Sequence, residues 1–416
     1  MNTPSQTTPA GNDTASPKAD AYIGIDYHKR YSVYHAVDHA GRSLAKGRIE
    51  HHCPQDFLTL VQRWPQCRVV FETSMNWHWL YEVLERGMDG ARIVLANSYK
   101  TRIIAEAQVK TDKVDAHILA QLLRADLVCS VHIPCKATRQ RKEVLRQRCF
   151  FVRQRTMLRN RIHRLLGAQH DLQLPQCSDL FGKRGMGFLE KLALPAPAGL
   201  LLKQQLEMLK SLQLRVKEDE CALGEMMQHT PALAQVQSLP GMGPILAAVV
   251  VNEIDDISRF RSAQKLSGYA GLCPSTSSSG GKTCNGKLLR ACNKWLRWAF
   301  VEAAWVAIGC SPYFGDLYKR KRAAGKKANT AILCVARRMC RIAWQLLTQG
   351  REYENIFSTP PTQSQPAPDT EVSAGSAKGS KGREYELRAT VGSAQQKKNF
   401  PSRSKRRLVG SLAKAK

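Results

Sequence analysis

The pattern that most limits the fold lies in residues 21–135, where strand-like alternation gives way to an exchange of helix and strand signals. "AYIGIDYH" and the following "YSVYHAVDHAGRSLAKGRIEH" read as two or three strands with a turn at Ala40-Gly41. "CRVVFET" (67–73) is a short buried strand, and "NWHWLYEVLERG" (76–87) is a helix stopped by Gly87. "ARIVLAN" (91–97) is another strand, and a helix is expected over 113–124. A hairpin that leads into alternating helices and strands predicts an α/β domain with a mixed sheet.

The remaining chain is organised differently. With 416 residues, 43% of them apolar, it is long enough for two or three domains. Residues 1–20 are rich in Thr, Ser, Pro, Gly and Asn and are expected to be disordered. Residues 136–228 read as helical. Phe151, Leu158, Ile162 and Leu165 share one helical face, and Leu202, Leu209, Val216 and Leu223 follow at heptad spacing. That is the pattern of a short coiled coil or helical hairpin. Residues 229–352 read as mainly helical with a Gly/Ser-rich interruption at 271–286. Residues 353–416 carry basic clusters such as "SRSKRR" (402–407) and read as a disordered basic tail, holding a polyanion or simply solvated.

Charge narrows the partners. Lys and Arg number 63 against 34 Asp and Glu, a net charge of +29. Such an excess speaks of nucleic acid or an anionic membrane rather than of fold. No run of about 18 apolar residues is present, so no span is expected. "MNTPSQTTPAGNDTASPKAD" has no apolar core of a secretory signal. The 13 cysteines are scattered without C-x-x-C, so reduced thiols in a cytoplasm are expected, most of them as small buried hydrophobes. Nucleic acid is therefore the favoured partner.

Two segments are candidates to hold it. Residues 137–164 carry ten Arg or Lys and one acid, Glu143. A solvated helix face usually mixes signs, so Arg146, Arg153, Arg155 and Arg159 are assigned to phosphate contact. "SLPGMGPILAAVVVNEI" (238–254) resembles the second half of a helix-hairpin-helix, in which Gly241 and Gly243 would let backbone N–H groups meet a phosphate at a helix N-terminus. A plain glycine-rich turn between core helices is the equal alternative.

Four acids sit where chemistry would want them. Asp26 lies in the first strand on the face opposite Ile23 and Ile25, and Glu72 ends the strand "VVFE". Asp112 and Asp115, at i and i+3, share one face of a helix start. Singly, each has a plainer role: Asp112 as an N-cap, Asp115 facing the helix dipole, Asp26 bonding a turn. Together they suit divalent cations, and two Mg²⁺ ions roughly 4 Å apart would activate one oxygen and stabilise another. The second informative stretch is "GLCPSTSSSGGKTCNGKLLRACNKWLRWAF" (271–300). Ser277, Ser278 and Ser279 precede Gly280-Gly281, and Lys282, Lys287, Arg290, Lys294 and Arg297 follow, from Arg290 onward at helical spacing, where they could hold a phosphodiester of a bound nucleic acid. A serine needs a base or metal to attack phosphate, and no histidine is near in sequence. A flexible loop is the plainer reading.

"YIGIDYHK", "VVFE", "KTDKVDA", "LPGMGP", "RFRSAQKLSGYAGLCP" and "SSGGK" occur in one order over about residues 21–352. In this the chain resembles the DEDD-type insertion-sequence transposases that carry a serine nucleophile, the "one-ten" family of bacterial mobile elements. The resemblance implies a RuvC-like version of the ribonuclease-H fold over 21–135, with Asp26, Glu72, Asp112 and Asp115 as a Mg²⁺-binding tetrad. It implies that Ser279, with Ser278 next, attacks DNA to form a phosphoserine link. It further implies composite sites shared between subunits of a dimer or tetramer, donor and target DNA as substrates, a bridging RNA as guide, and a bacterial cytoplasm. Two other readings stand beside it: a RuvC-like nuclease that cuts branched DNA with metal-activated water, and a non-catalytic nucleic-acid-binding protein.

Overall fold

The computed structural model describes residues 19–104, 111–169, 171–279 and 282–353. The expected disordered ends fall almost wholly outside these residues, as do Gly280 and Gly281. The first three strands, β1 (Tyr22–Tyr27), β2 (Tyr31–Val37) and β3 (Ser43–Glu50), form an antiparallel meander. The β2–β3 turn uses Gly41 at φ +84°, a conformation that glycine adopts without a Cβ penalty. After α1 (Gln55–Gln62), β4 (Arg68–Glu72) joins β1 in parallel. After α2 (Trp77–Leu84), β5 (Ile93–Ala96) joins β4 in parallel. The sheet order is β3-β2-β1-β4-β5, a mixed sheet as the alternation predicts. Two helices follow, α3 (Ser98–Ile104) and α4 (Asp112–Arg124). Neither α1 nor α3 was expected from sequence.

The sheet has two covered faces. Ile23, Ile25, Val69, Phe71, Ile93 and Leu95 pack with Phe57, Leu60, Leu80 and Leu84 of α1 and α2. Each fully buried side chain of this size contributes about 1.5–3 kcal/mol. The opposite face is smaller: Val70 and Ala96 meet Leu119 and Leu123 of α4.

The next part is helical. The long helix α5 (Lys136–Gly167) is followed by α6 (Lys183–Lys191) and α7 (Ala198–Met227). All four heptad residues, Leu202, Leu209, Val216 and Leu223, are buried. Leu158, Ile162 and Leu166 of α5 pack with Leu202, Leu206 and Leu209 of α7 and Leu189 of α6. At the other end of the pair, Leu145, Leu223 and Met227 enter the core of the helices that follow. These are α8 (Pro231–Gln237), α9 (Pro244–Ile254) and α10 (Ala263–Tyr269), then α11 (Lys294–Cys310), α12 (Pro312–Ala323) and α13 (Ala328–Gln349). No helix among the described residues is long and apolar enough to cross a membrane.

Three expectations need correction. The Gly/Ser-rich interruption is a β-hairpin, β6 (Pro274–Ser279) paired antiparallel with β7 (Lys282–Leu288), not a loop. Ser279 pairs with Lys282, and Gly280-Gly281 between them in sequence is a strong hairpin signal. Arg290 lies before α11 and is not on a helix; the helical spacing begins only at Lys294. Finally, only Cys67, Cys149 and Cys340 of the 13 cysteines are buried, so most are not core residues, although all are free thiols.

Candidate active site

Two strands deliver two acids to one place. Ile23 and Ile25 are committed to the core beneath α1 and α2, so alternation turns Gly24 and Asp26 to the α4 face. Val70 packs against α4, and Glu72 follows two residues later on the same side. The parallel register pairs Ile25 with Phe71, and one step further sets Asp26 beside Glu72. Gly24 decides how near α4 can come. A Cβ on it would collide with the Ala116 carbonyl oxygen and lie 2.5 Å from the Ala120 backbone nitrogen. The helix thus rests on bare strand backbone, and its first turn stands over the end of β1.

That first turn carries Asp112 and Asp115. The N-cap is Thr111, whose Oγ1 accepts from the Val114 N–H at 3.3 Å, so Asp112 is not the capping residue. Its Oδ2 instead lies 3.2 Å from His28 Nε2 and accepts a hydrogen bond from the Tyr31 hydroxyl at 3.1 Å. The same His28 nitrogen is 3.1 Å from Asp26 Oδ2. It is buried, and neither approach has the alignment of a hydrogen bond. Burial pushes the Asp26 carboxyl up from its ordinary range; His28 pulls it down, while Asp115, Asp112 and Glu72 push it up again. Asp26 therefore feels all three of the other predicted acids. One oxygen each from Asp26 and Asp112 and a ring nitrogen of His28 lie within 4.8 Å of one another, a donor set able to hold a cation.

His28 and Tyr31 were missed from sequence. The signal was present for His28, which follows Asp26 by two residues on an extended chain and so points to the same side. Tyr31 had none, because it reaches Asp112 across 81 residues of sequence.

The other predicted site residues are spread out. Ser279 stands exposed at the end of β6, with Ser277 and Ser278 also exposed. No hydrogen bond among the described residues joins Ser279 to the acids. The side chain of Lys282 lies outside the described residues, and Lys287 and Arg290 are exposed. Gly241, at φ +80°, faces the α11 backbone: a Cβ would lie 2.5 Å from the Ala303 carbonyl oxygen. Its form is that of the plain turn between packed helices. Gly243, in contrast, is exposed at the N-cap of α9.

The arginines of α5 divide. Arg146 donates to Glu253 at 2.8 Å and lies 5.3 Å from the Trp295 ring, so it is partly neutralised. Lys142 approaches the same carboxylate at 3.4 Å. Arg153 sits exposed, 5.8 Å from Trp295, and Arg159 lies 4.9 Å over Phe181. Burial, with Arg159 and Arg148 alongside, lowers the Arg155 pKa. Its charge is resisted by its surroundings, which an anion would relieve.

The acid-bearing mixed sheet and the helical body that follows it fall within the reach of two family models, both of transposases. A transposase family model of the DEDD type matches residues 23–170, and the model described as "Transposase IS116/IS110/IS902 family" matches 233–319. The chain belongs to this insertion-sequence family. It is 26% identical over 352 residues to a probable family 20 transposase of Pseudomonas aeruginosa, covering 80% of this chain and 98% of that one. It is 23% identical over 341 residues to the transposase for insertion sequence element IS1328 of Yersinia enterocolitica, covering 79% and 97%. A shorter stretch of 159 residues is 31% identical to an uncharacterized 44.8 kDa protein of insertion element IS116 from Streptomyces clavuligerus, covering 38% and 39%.

Proposed function

We propose that the chain cuts and rejoins the donor and target DNA of its element, with Asp26, Glu72, Asp112 and Asp115 binding Mg²⁺ and Ser279 forming a covalent link to DNA. The observation that carries this reading is the meeting of Asp26 and Asp112 about His28, with Asp115 and Glu72 acting on the same carboxyl. The donor chemistry fits a hard divalent ion, because the Asp26 and Asp112 carboxylates, with Asp115 and Glu72 near enough to raise the Asp26 pKa, repel each other unless a cation compensates them. Mg²⁺, when bound there, would polarise the phosphate and favour the ionised form of an attacking hydroxyl. The strand order β3-β2-β1-β4-β5 supports a RuvC-like, ribonuclease-H-type reading of the first domain.

In this reading Asp26 and Asp112 supply the oxygens, Tyr31 orients Asp112, and His28 holds the gap between them. The Ser279 hydroxyl attacks phosphorus and loses its proton to solvent. The bond from phosphorus to the departing strand oxygen breaks, and that oxygen takes up a proton. Attack by a strand hydroxyl on the phosphoserine then restores the serine and rejoins the DNA. A composite site shared between copies of the chain in a homo-oligomer follows from the family resemblance. A bridging RNA as guide follows from the family resemblance and suits a chain of net charge +29.

The test is a denaturing gel of protein with Mg²⁺, the element's end-junction DNA and RNA transcribed from its non-coding flank. An adduct in wild type, absent in Ser279→Ala and Asp112→Asn, supports the proposal. Mg²⁺-dependent cutting without an adduct, unchanged in Ser279→Ala, would replace it with the water-using nuclease.

A further inference from the structure

A cleft of 1120 Å³ opens between the carboxyl end of the sheet and the helical body that follows α7. Its sheet side is the segment after β5. Asn97 follows Ala96, which pairs with Glu72, and Ser98 Oγ lies 3.0 Å from Thr73 Oγ1, so this wall begins next to Glu72. Its other side includes residues 290–293, which connect the serine hairpin to α11. The cleft therefore runs from the acid-bearing strand ends to the root of the hairpin.

The lining has a distinct chemistry. Tyr99 is 68% exposed and Tyr269 is 38% exposed, so two aromatic rings present surface to solvent. Lys100, Arg259 and Arg290 add positive charge, and no carboxylate is among the described lining residues. Arg259 lies 4.8 Å over the Tyr269 ring and 4.5 Å over Phe260, stacked rather than ion-paired. Its Nε is buried without a hydrogen-bond partner. Exposed rings interleaved with cations are what unpaired nucleotides need, since bases stack on rings while phosphates meet the charges. A duplex keeps its bases stacked inside and offers such rings nothing.

We propose that this cleft binds a short run of unpaired nucleotides, with bases on Tyr99 and Tyr269 and phosphates at Lys100, Arg259 and Arg290. The assignment rests on the proposed function only in taking nucleic acid as the ligand. It deepens that function by giving strand separation a place beside the acids.

Binding of a 12-mer of deoxythymidylate, a 12-mer of uridylate and a 12-base-pair duplex to the full chain is measured by fluorescence anisotropy in EDTA. Without metal, cleavage plays no part, so failure of the proposed chemistry leaves this test unaffected. Tyr99→Ala and Tyr269→Ala should each weaken single-strand binding about tenfold while leaving duplex binding within twofold. Tyr99→Phe and Tyr269→Phe should restore it, because the ring is kept, and this separates stacking from misfolding. Tighter binding of uridylate assigns the cleft to RNA, and tighter binding of deoxythymidylate assigns it to DNA; both support it. Single-strand affinity unchanged in both alanine variants, or single-strand and duplex affinity falling together, would overturn it.

Discussion

The acids and the serine are held in opposite ways. Asp26 and Glu72 end two neighbouring strands of a five-stranded sheet covered on both faces, and Asp112 and Asp115 open a helix seated on Gly24. Ser279 ends a strand whose one sheet partner among the described residues is β7, with its neighbours exposed. A two-stranded ribbon on its own has marginal stability, whereas a packed sheet sets its strand ends within narrow limits. The difference teaches that one half of the proposed chemistry is preorganised by a core. The other half is carried on a two-stranded ribbon whose serines are exposed.

The sharpest way to break this comparison is at the serine. Ser279→Ala should remove the covalent adduct altogether while leaving the unfolding temperature unchanged, since an exposed hydroxyl on a ribbon carries no packing. An adduct that persists in this variant and disappears in Ser278→Ala would move the nucleophile by one position. Asp112→Asn comes next. It keeps the size of the side chain and should lower cleavage on the order of 10²–10³-fold, with DNA binding in a filter assay retained. Full activity in that variant would remove Asp112 from the metal site.

Gly24→Ala tests the core half of the comparison. The added methyl group meets helix backbone, which cannot yield as a flexible side chain would, so a loss of about 1–3 kcal/mol in chemical denaturation is expected. Cleavage should fall with it, because α4 carries two of the acids. If stability fell while cleavage held, the seating of α4 would not be what positions Asp112.

The last effect, on stability alone, is at the junction of the two regions. Asp255 accepts from Thr138 Oγ1 at 2.6 Å and lies 2.7 Å from His132 Nε2. Burial would raise its carboxyl, but the hydrogen bonds of His132 and Thr138, with the charges of His132 and Lys142, hold it below the ordinary 3.8. A folded-state value below the unfolded one gives stability that is present above 3.8 and lost as pH falls through the folded value. Asp255→Asn should therefore cost about 1–3 kcal/mol in urea denaturation at pH 7. The difference from wild type should shrink below pH 3.8. A difference that grows with acid would mean another carboxylate governs the junction.

Much of the fold was legible because it depends on local pattern. Alternation in "YIGIDYH" marks a strand and assigns Asp26 to a face, and "RVVFE" reads as a short buried strand that Glu72 ends. The heptads of α7 mark the side that meets α5. The hairpin was harder to read, because serines and threonines have little apolar alternation to mark a strand, and the Gly-Gly pair passed for looseness. The arginines of α5 were harder still. A ten-to-one excess of cations read as a phosphate surface, yet Arg148 donates to Glu220, Arg139 to Glu82 and Arg146 to Glu253. These acids stand 72, 57 and 107 residues away in sequence, where no window of local composition includes them.

By itself, then, the sequence determined the mixed sheet of the first domain and the long helices after it, the face that Asp26 takes, and that Asp112 and Asp115 stand together. Side-chain alternation and helical periodicity are local properties of the backbone. Only the tertiary structure decided that α4 would close on Gly24 and bring those two acids to Asp26. It alone brought His28 and Tyr31 into the cluster and tied several of the basic residues to carboxylates. Distances between groups far apart in the chain are set by how packed surfaces meet, and no local pattern encodes them.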